Sequence, residues 1–421
     1  MGASIALPAL GASDRISVGI TGLRGRGRDH IEQFAKFREA RIAAVCDVDS
    51  AQVERAVALV EKLTGAKPKT YRDFRQMLDD KEIDAVTVAT CNHWHALQTV
   101  WACQAGKDVY LEKPASHNIW EGRRAVEATR KYKRIVQVGM QSRSIAHKRR
   151  AIELLRQGVI GKVYMARGIC FKRRKSIGKR PDGPVPPGVD FNTWLGPTPL
   201  RPFNPNRFHY NWHWFWDTGN GDIGNQGVHE MDIARWGLDK QTLPKRVHSS
   251  GGKFVYDDDQ ETPNTQLAVF EYDDCQIVFE VRGLLTGGES SISYDGQNYI
   301  GNIFFGSDGC LTVDYKGFQV YLGENRELVR QTEYEEPESW DTAPHVGNFL
   351  KAVASRNPAD LNADVLEGHF SAALCHMANI SYRTGRKLAF DPESETFPGD
   401  TEANKLVTRD YREPFVVPAQ V

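Results

Sequence analysis

Three stretches of the chain carry residues that can do chemistry. VGITGLRGRGRDH (18–30) sets Gly22 and Gly27 at the first and third positions of a GxGxxG-like turn. The first glycine of such a turn permits a tight bend, the third lets helix pack on strand, and the helix N-terminus offers free N–H groups to a pyrophosphate. Arg24 takes the second position, where glycine normally lets the backbone approach the phosphates; Gly25 is adjacent, and the Arg24 guanidinium can itself pair with phosphate. Asp47 follows Gly27 by about 20 residues and closes the next apolar run, where a carboxylate accepts hydrogen bonds from an adenosine ribose and repels a 2′-phosphate. NAD is therefore expected, in preference to NADP. The second stretch holds Asn225 and His229, four apart after the glycine-rich GNGDIGN, on one face of the helix expected there. The third, RFHYNWHWFWDTGNGD (207–222), brings Tyr210, Trp212, His213, Trp214 and Trp216 together; aromatic faces interspersed with hydrogen-bond donors suit a sugar ring. His209, His213 and His229 match no standard ligand spacing, so no metal is expected.

The elements that must position these residues follow from the hydrophobic pattern. Apolar runs at 16–20, 41–46, 84–90, 108–113 and 135–139 alternate with amphipathic segments near 29–38, 50–63, 94–105 and 118–132. Continuous rather than alternating hydrophobicity, with helices between, predicts a parallel sheet covered on both faces: a doubly wound, Rossmann-type domain over 15–143. After a further helix at about 146–157, longer strand-like runs at 163–171, 265–272 and 276–283 enclose a Pro/Gly/aromatic-rich stretch at 181–221. They predict an α+β domain over 144–390 with a mostly antiparallel, open sheet and late helices near 343–356 and 364–384. The tail, 391–421, reads as an arm packing on the body or on a neighbour. The fold class is thus α/β in two domains.

Bulk composition excludes several partners. The chain has 421 residues, and Lys+Arg and Asp+Glu balance at 54 each, which removes the electrostatic case for nucleic acid or an anionic membrane. No stretch reaches the roughly 18–20 apolar residues of a membrane span. The seven cysteines show no CxxC spacing and read as small buried hydrophobes. Residues 3–13 (ASIALPALGAS) read either as the tail of a bacterial export signal, which would make the protein periplasmic, or as an N-terminal extension of a cytoplasmic one. The basic run FKRRKSIGKR (171–180) reads as a solvated loop, with recognition of an acidic sugar or a neighbouring subunit as the alternative.

In TVATCNHWHALQTVWACQAGKDVYLEKPASHNIWEG (87–122), the tripeptide Glu112-Lys113-Pro114 ends the DVYL run, with NHWH one strand earlier and VGMQSR (138–143) one strand later. With GNGDIGNQGVHEMDIARW (219–236) and EGHFSAALCHMANISYRTGRKL (367–388), this resembles the glucose–fructose oxidoreductase/inositol dehydrogenase/MocA family in its larger bacterial branch, over nearly the whole chain from residue 15. The resemblance implies that Lys113, aimed by Pro114, hydrogen-bonds a substrate hydroxyl beside the nicotinamide. It implies that Glu112, Thr90, Asn92, His95 and Gln141 hold the nicotinamide half, although Cys91-Asn92 stands where the branch more often has Pro-Asp. It also implies that His229, whose type titrates near neutrality, takes the hydroxyl proton. Asn225 departs from the family's Asp at its position; an amide can orient a hydroxyl but not stabilise an imidazolium by charge, which leaves Asp232 or Asp222 to supply it. Arg143, Tyr210, His213, Trp216 and Asp222 are expected around the substrate.

The function expected is an NAD-dependent dehydrogenase of a sugar, glycoside or polyol, working as a homo-oligomer through the open sheet. Glycoside cleavage by transient oxidation and elimination, with no net NADH, is the alternative. A dinucleotide-binding regulator is the third reading, which retention of both Lys113 and His229 opposes.

Overall fold

The computed structural model describes residues 15–286, 292, 298–332 and 341–421; the 3–13 segment lies outside them. The first domain is built from β1 (Ile16–Thr21), β2 (Ala40–Cys46), β3 (Lys69–Tyr71), β4 (Ala85–Val88), β5 (Asp108–Leu111) and β6 (Val136–Val138). Crossing between them are α1 (Arg26–Phe34), α2 (Ser50–Thr64), α3 (Phe74–Asp79), α4 (Asn92–Gln104) and α5 (Ile119–Lys131). Strands β4, β5 and β6 are buried at every position, as a sheet covered on both faces requires. All pairs are parallel, in the order β3-β2-β1-β4-β5-β6. The winding direction reverses between β1 and β4, so the carboxyl ends of these strands open a crevice. Local signals set the helix ends: the Asp49 side chain accepts from Ala51 N at the start of α2, and Gly65 closes it in the left-handed region at φ 71°.

The second domain follows α6 (Ala146–Arg156) with β7 (Val163–Lys172), α7 (Phe191–Leu195), α8 (Gly221–Asn225), α9 (Gly227–Gly237), β8 (Arg246–Gly252), β9 (Thr265–Glu271) and β10 (Gln276–Arg282). Then come β11 (Asn298–Gly306), β12 (Gly309–Asp314), β13 (Phe318–Leu322), β14 (Glu327–Gln331), α10 (Ala343–Ser355), α11 (Val365–Thr384), β15 (Leu388–Ala389) and α12 (Thr401–Lys405). Nine strands pair in the order β14-β13-β12-β11-β7-β10-β9-β8-β15. The pairing is antiparallel except between β7 and β10, which the long excursion from 173 to 264 brings side by side in parallel. Helix α9 lies across β7, β10 and β11, and α11 across β8, burying Val228, Met231, Leu374 and Met377 against Phe270 and Phe279.

The single helix expected through Asn225 and His229 is two helices, α8 and α9, broken at Gln226 (φ −100°, ψ −44°). Glycine is the cause: a Cβ on Gly227 would come within 2.4 Å of the Phe279 ring, so the residue that allows this close packing also weakens the helix. Helix α10 returns to the first domain, where Val346, Phe349 and Leu350 pack with Ile20, Phe34 and Tyr110. The C-terminal arm also lies on the first domain, with Phe415 and Val417 on Trp94 and Leu97, and Arg409 Nη2 paired with Glu121 at 2.9 Å. No helix among the described residues is long and apolar enough to cross a membrane.

Candidate active site

The carboxyl ends of β1, β2, β4 and β5 face the α8–α9 region across a cavity of about 680 Å³. Its cofactor end is the glycine turn. Gly22 has φ +80°, and a Cβ there would meet the Ala89 carbonyl at 2.5 Å; a Cβ on Gly27 would sit 1.8 Å from Gly22 O. Gly27 is therefore a packing residue behind the turn and does not line the cavity. Gly25 has φ +47° with open space around the Cβ position, and it caps α1 on the cavity side beside Arg24. Asp47 accepts from Leu23 N at 2.7 Å and Asp49 N at 3.0 Å, which braces the turn against the end of β2. Burial pushes its carboxyl up to about 6 against these bonds. Open space over a glycine at a helix N-terminus, with a carboxylate one strand away, fits a dinucleotide.

Glu112 lies at the centre of a network that sequence reasoning reached only in part. Its Oε1 accepts from Arg26 Nε at 2.8 Å, His30 Nε2 at 3.0 Å and Gln141 Nε2 at 3.2 Å. Burial alone would raise its pKa, but the Arg26 charge and the His30 bond hold it well below the carboxylate range. An ionised carboxylate only accepts, so His30 carries its proton on Nε2. Sequence reading set Arg26 beside the cofactor phosphates and did not reveal its pairing with Glu112, which lies 86 residues away. Thr90 donates to Gln98 Oε1 at 2.7 Å, and the buried His95 ring lies between Pro114 O at 2.6 Å and Thr90 O at 3.0 Å, tying the loop after β4 to the turn that carries Lys113. Asn92 lines the cavity and donates to Asn220 Oδ1 at 2.9 Å, across the domain boundary.

Lys113 follows β5 directly, and its Nζ donates to the backbone carbonyl of Asn225 at 2.5 Å. Burial lowers its pKa to about 8, helped by the charges of Arg26, Lys172 and Arg174 and opposed by Glu112. His229 lines the cavity from α9, and its ring makes no hydrogen bond to any described residue. Burial, and then the Lys113 charge, hold the imidazole well below its ordinary value, so it is neutral. Asn225 lines the same wall. On the aromatic side, His213 stacks on Trp212 with centroids 3.6 Å apart and gives its Nδ1 proton to Tyr210 O at 2.6 Å, which leaves Nε2 bare. Tyr210 also lines the cavity, and its hydroxyl accepts from Arg174 Nη1 at 3.2 Å.

Three residues expected around the substrate are engaged elsewhere and do not line the cavity. Arg143 is bonded to Asp232 and to Glu367 Oε2 at 2.9 Å. Asp222 takes a two-pronged pair from Arg174, at 2.6 and 3.1 Å. Trp216 packs against Tyr382 and under Arg383, 5.1 Å from its ring centre. Asp232, held by Arg143 and by Ser371 Oγ at 2.7 Å, is likewise not a partner of His229. Long side chains with good local partners satisfy them first, and sequence spacing does not reveal such a partner when it lies about 90 residues away, as Asp232 does from Arg143. The basic run 171–180 is similarly tied down, with Arg174 on Asp222 and Lys179 on Asp257 at 2.6 Å. His209 pairs with Asp49 at 3.0 Å.

Residues 16–140 match the family model described as "Oxidoreductase family, NAD-binding Rossmann fold", and residues 162–417 match "Oxidoreductase family, C-terminal alpha/beta domain". Among curated proteins, a glycosyl hydrolase family 109 protein of Shewanella sp. (strain W3-18-1) is 27% identical over 154 residues, which is 36% of this chain and 34% of that protein. An alpha-N-acetylgalactosaminidase of Shewanella oneidensis is 32% identical over 110 residues, 25% of this chain and 24% of that protein. The alignments thus span about a third or less of these relatives. Among solved structures, the WlbA dehydrogenase of Bordetella pertussis, crystallised with NADH and UDP-GlcNAcA, superposes with a TM-score of 0.65 at 20% identity, over 90% of this chain and 99% of its own. An oxidoreductase domain protein of Kribbella flavida gives 0.68 at 18% identity, over 89% and 99%. The two models leave residues 141–161 between them and take in residues on both sides of the cavity, and the protein belongs to the Gfo/Idh/MocA family of oxidoreductases, with that family's NAD-binding Rossmann domain.

Proposed function

We propose that this protein is an NAD-dependent oxidoreductase acting at a hydroxyl-bearing carbon of a sugar, glycoside or polyol, with Lys113 and His229 on the substrate. The observation that carries the reading is the pair itself: an ammonium and a neutral, unpartnered imidazole facing one cavity at the sheet's switch point. Bound NAD supplies the hydride acceptor. The substrate oxygen takes the place of Asn225 O as the acceptor for Lys113, whose charge stabilises the developing alkoxide. His229 receives the hydroxyl proton; each charge disfavours the other, so the proton is held on His229 only while the alkoxide negative charge is present between them. Glu112 keeps Arg26 from adding a free positive charge beside Lys113.

The test is absorbance in the NADH band as sugars, glycosides and inositols are added to the protein with NAD. A rise with one substrate, reduced by about 10²–10⁴-fold in Lys113→Ala and in His229→Ala, supports the dehydrogenase. The similarity to glycosyl hydrolase family 109 proteins favours a second reading, glycoside cleavage by transient oxidation and elimination. Release of the aglycone with no net NADH would select it. Binding of NAD with no turnover of any substrate would leave the regulator.

A further inference from the structure

The same cavity is also lined from the α6 and α9 side and from the β11–β12 pair of the second sheet, by Ser142, Lys148, Gln226, Glu230, Asp314 and Tyr315. One ionisable side chain there lacks the partners that burial normally demands. Glu230 is 3% exposed, its Oε2 has no hydrogen-bond partner, and its Oε1 receives a 3.5 Å contact from Gln226 Nε2. The half-buried Lys148 donates from Nζ to Ser142 Oγ at 3.1 Å, and Glu230 and Asp314 attract its charge. A buried carboxylate oxygen left unpaired loses its hydration with no bond in exchange, so an oxygen of this kind facing a cavity marks the place of a ligand group.

The chemistry of that group follows from the pair. Burial pushes Glu230 up to about 7 against the attraction of Lys148, and pulls Lys148 down from its ordinary value. Near neutral pH the subsite is therefore not a fixed charge of either sign. A ligand carboxylate would meet Glu230, and a ligand ammonium would meet Lys148. A hydroxyl both donates and accepts, so it is satisfied by the two residues whichever of them holds the proton. Of the basic run at 171–180, Arg174 is paired with Asp222 and Lys179 with Asp257.

We infer that Lys148 and Glu230 form the subsite that selects the substrate, taking neighbouring hydroxyls of an uncharged sugar or cyclitol ring and rejecting a carboxylate or an amine at that position. This rests on the carbohydrate reading of the Lys113/His229 site and narrows it.

The experiment uses the full chain saturated with NAD and four probes, methyl β-D-glucopyranoside, myo-inositol, D-glucuronate and D-glucosamine, with binding followed by titration calorimetry. At least one neutral probe is expected to bind about tenfold or more tighter than either charged one. Lys148→Met should weaken the neutral probe by about tenfold and raise KM more than it lowers kcat for any probe that is oxidised. Glu230→Gln should narrow the discrimination against glucuronate by about tenfold. Unchanged NAD affinity in both variants reports that they are folded. Glucuronate binding to the wild type as tightly as the neutral probes, or variants whose probe affinities all stay within twofold, overturns the subsite alone. Binding of none of the four overturns the carbohydrate reading and the subsite with it.

Discussion

The cofactor wall of the cavity comes from one continuous stretch of chain, whereas the substrate wall is assembled from distant ones. Gly22, Asp47, Thr90 and Glu112 each stand at or just past the carboxyl end of a strand between residues 16 and 138, because a parallel sheet delivers every such end to the same edge. Lys113, Lys148, Gln226, His229, Glu230 and Tyr315 reach the other wall from both domains, through a broken helix and the end of an interior strand of the second sheet. The first wall is fixed by backbone geometry and tolerates little change. The second is fixed by which polar side chains find partners within the packed structure, and His229, whose ring makes no hydrogen bond to a described residue, is the one proposed to take the proton.

The largest effect is expected behind the substrate wall. Arg143→Met removes the main counter-charge of Asp232, which is buried and retains only Ser371 and a 3.8 Å approach from Arg235. A loss of folding stability on the order of 3 kcal/mol is expected, read from denaturant unfolding, while KM in the folded fraction stays near the wild-type value. A raised KM with unchanged stability would return Arg143 to the substrate.

The corresponding change in the cofactor wall is Gly27→Ala. Its Cβ cannot be accommodated 1.8 Å from Gly22 O without moving the turn. Stability should fall by about 1–3 kcal/mol and NAD affinity should fall with it, whereas probes of the substrate wall leave NAD affinity alone. An alanine variant with wild-type NAD affinity would show that the turn is not held by this contact.

These two variants also mark what was legible in the sequence. The parallel domain could be read from its hydrophobic runs, and Asp47 and the glycine turn from motif spacing, because each depends on neighbours within a few tens of residues. Lys113 and His229 came through a family resemblance and stand on one cavity. The helix break at Gln226 was hidden by the i,i+4 spacing of Asn225 and His229, which says nothing of Phe279 pressing on Gly227. Arg143 and Asp222 were read as free charges because their partners, Asp232 and Arg174, are far away in the chain. Glu230 was overlooked beside His229, since only the packed structure reveals a carboxylate oxygen without a partner.

A smaller effect separates the roles of Lys113 and His229. In the proposed mechanism Lys113 must be charged to hold the substrate oxygen, and its pKa is lowered to about 8, so the ammonium is lost at lower pH than for an ordinary lysine. The kcat profile should therefore be level through neutrality and fall about tenfold per pH unit above roughly 8. The limb belonging to His229 should lie well below neutral pH, since burial and Lys113 disfavour the imidazolium. Removing the Arg26 charge, one of those that depress Lys113, should move the upper limb to higher pH. A profile that rises through pH 8 would instead make the neutral amine of Lys113 the base.

The smallest effect is expected at Trp216, one of the aromatics expected around the substrate. Trp216 lies among the aromatics of 207–222, yet its ring meets Tyr382 at 6.4 Å and Arg383 at 5.1 Å, outside the cavity that Tyr210 and His213 line. Trp216→Leu keeps an apolar side chain and removes only the ring contacts, so a stability loss of about 0.5–1 kcal/mol is expected, with KM within about twofold of wild type. His213→Leu, by contrast, removes a bare Nε2 and a ring that lie on the cavity wall. Measured on the same substrate, a larger KM change for Trp216→Leu than for His213→Leu would mean that the aromatic stretch turns over when substrate binds, and the division between cavity-lining and packing aromatics would have to be redrawn.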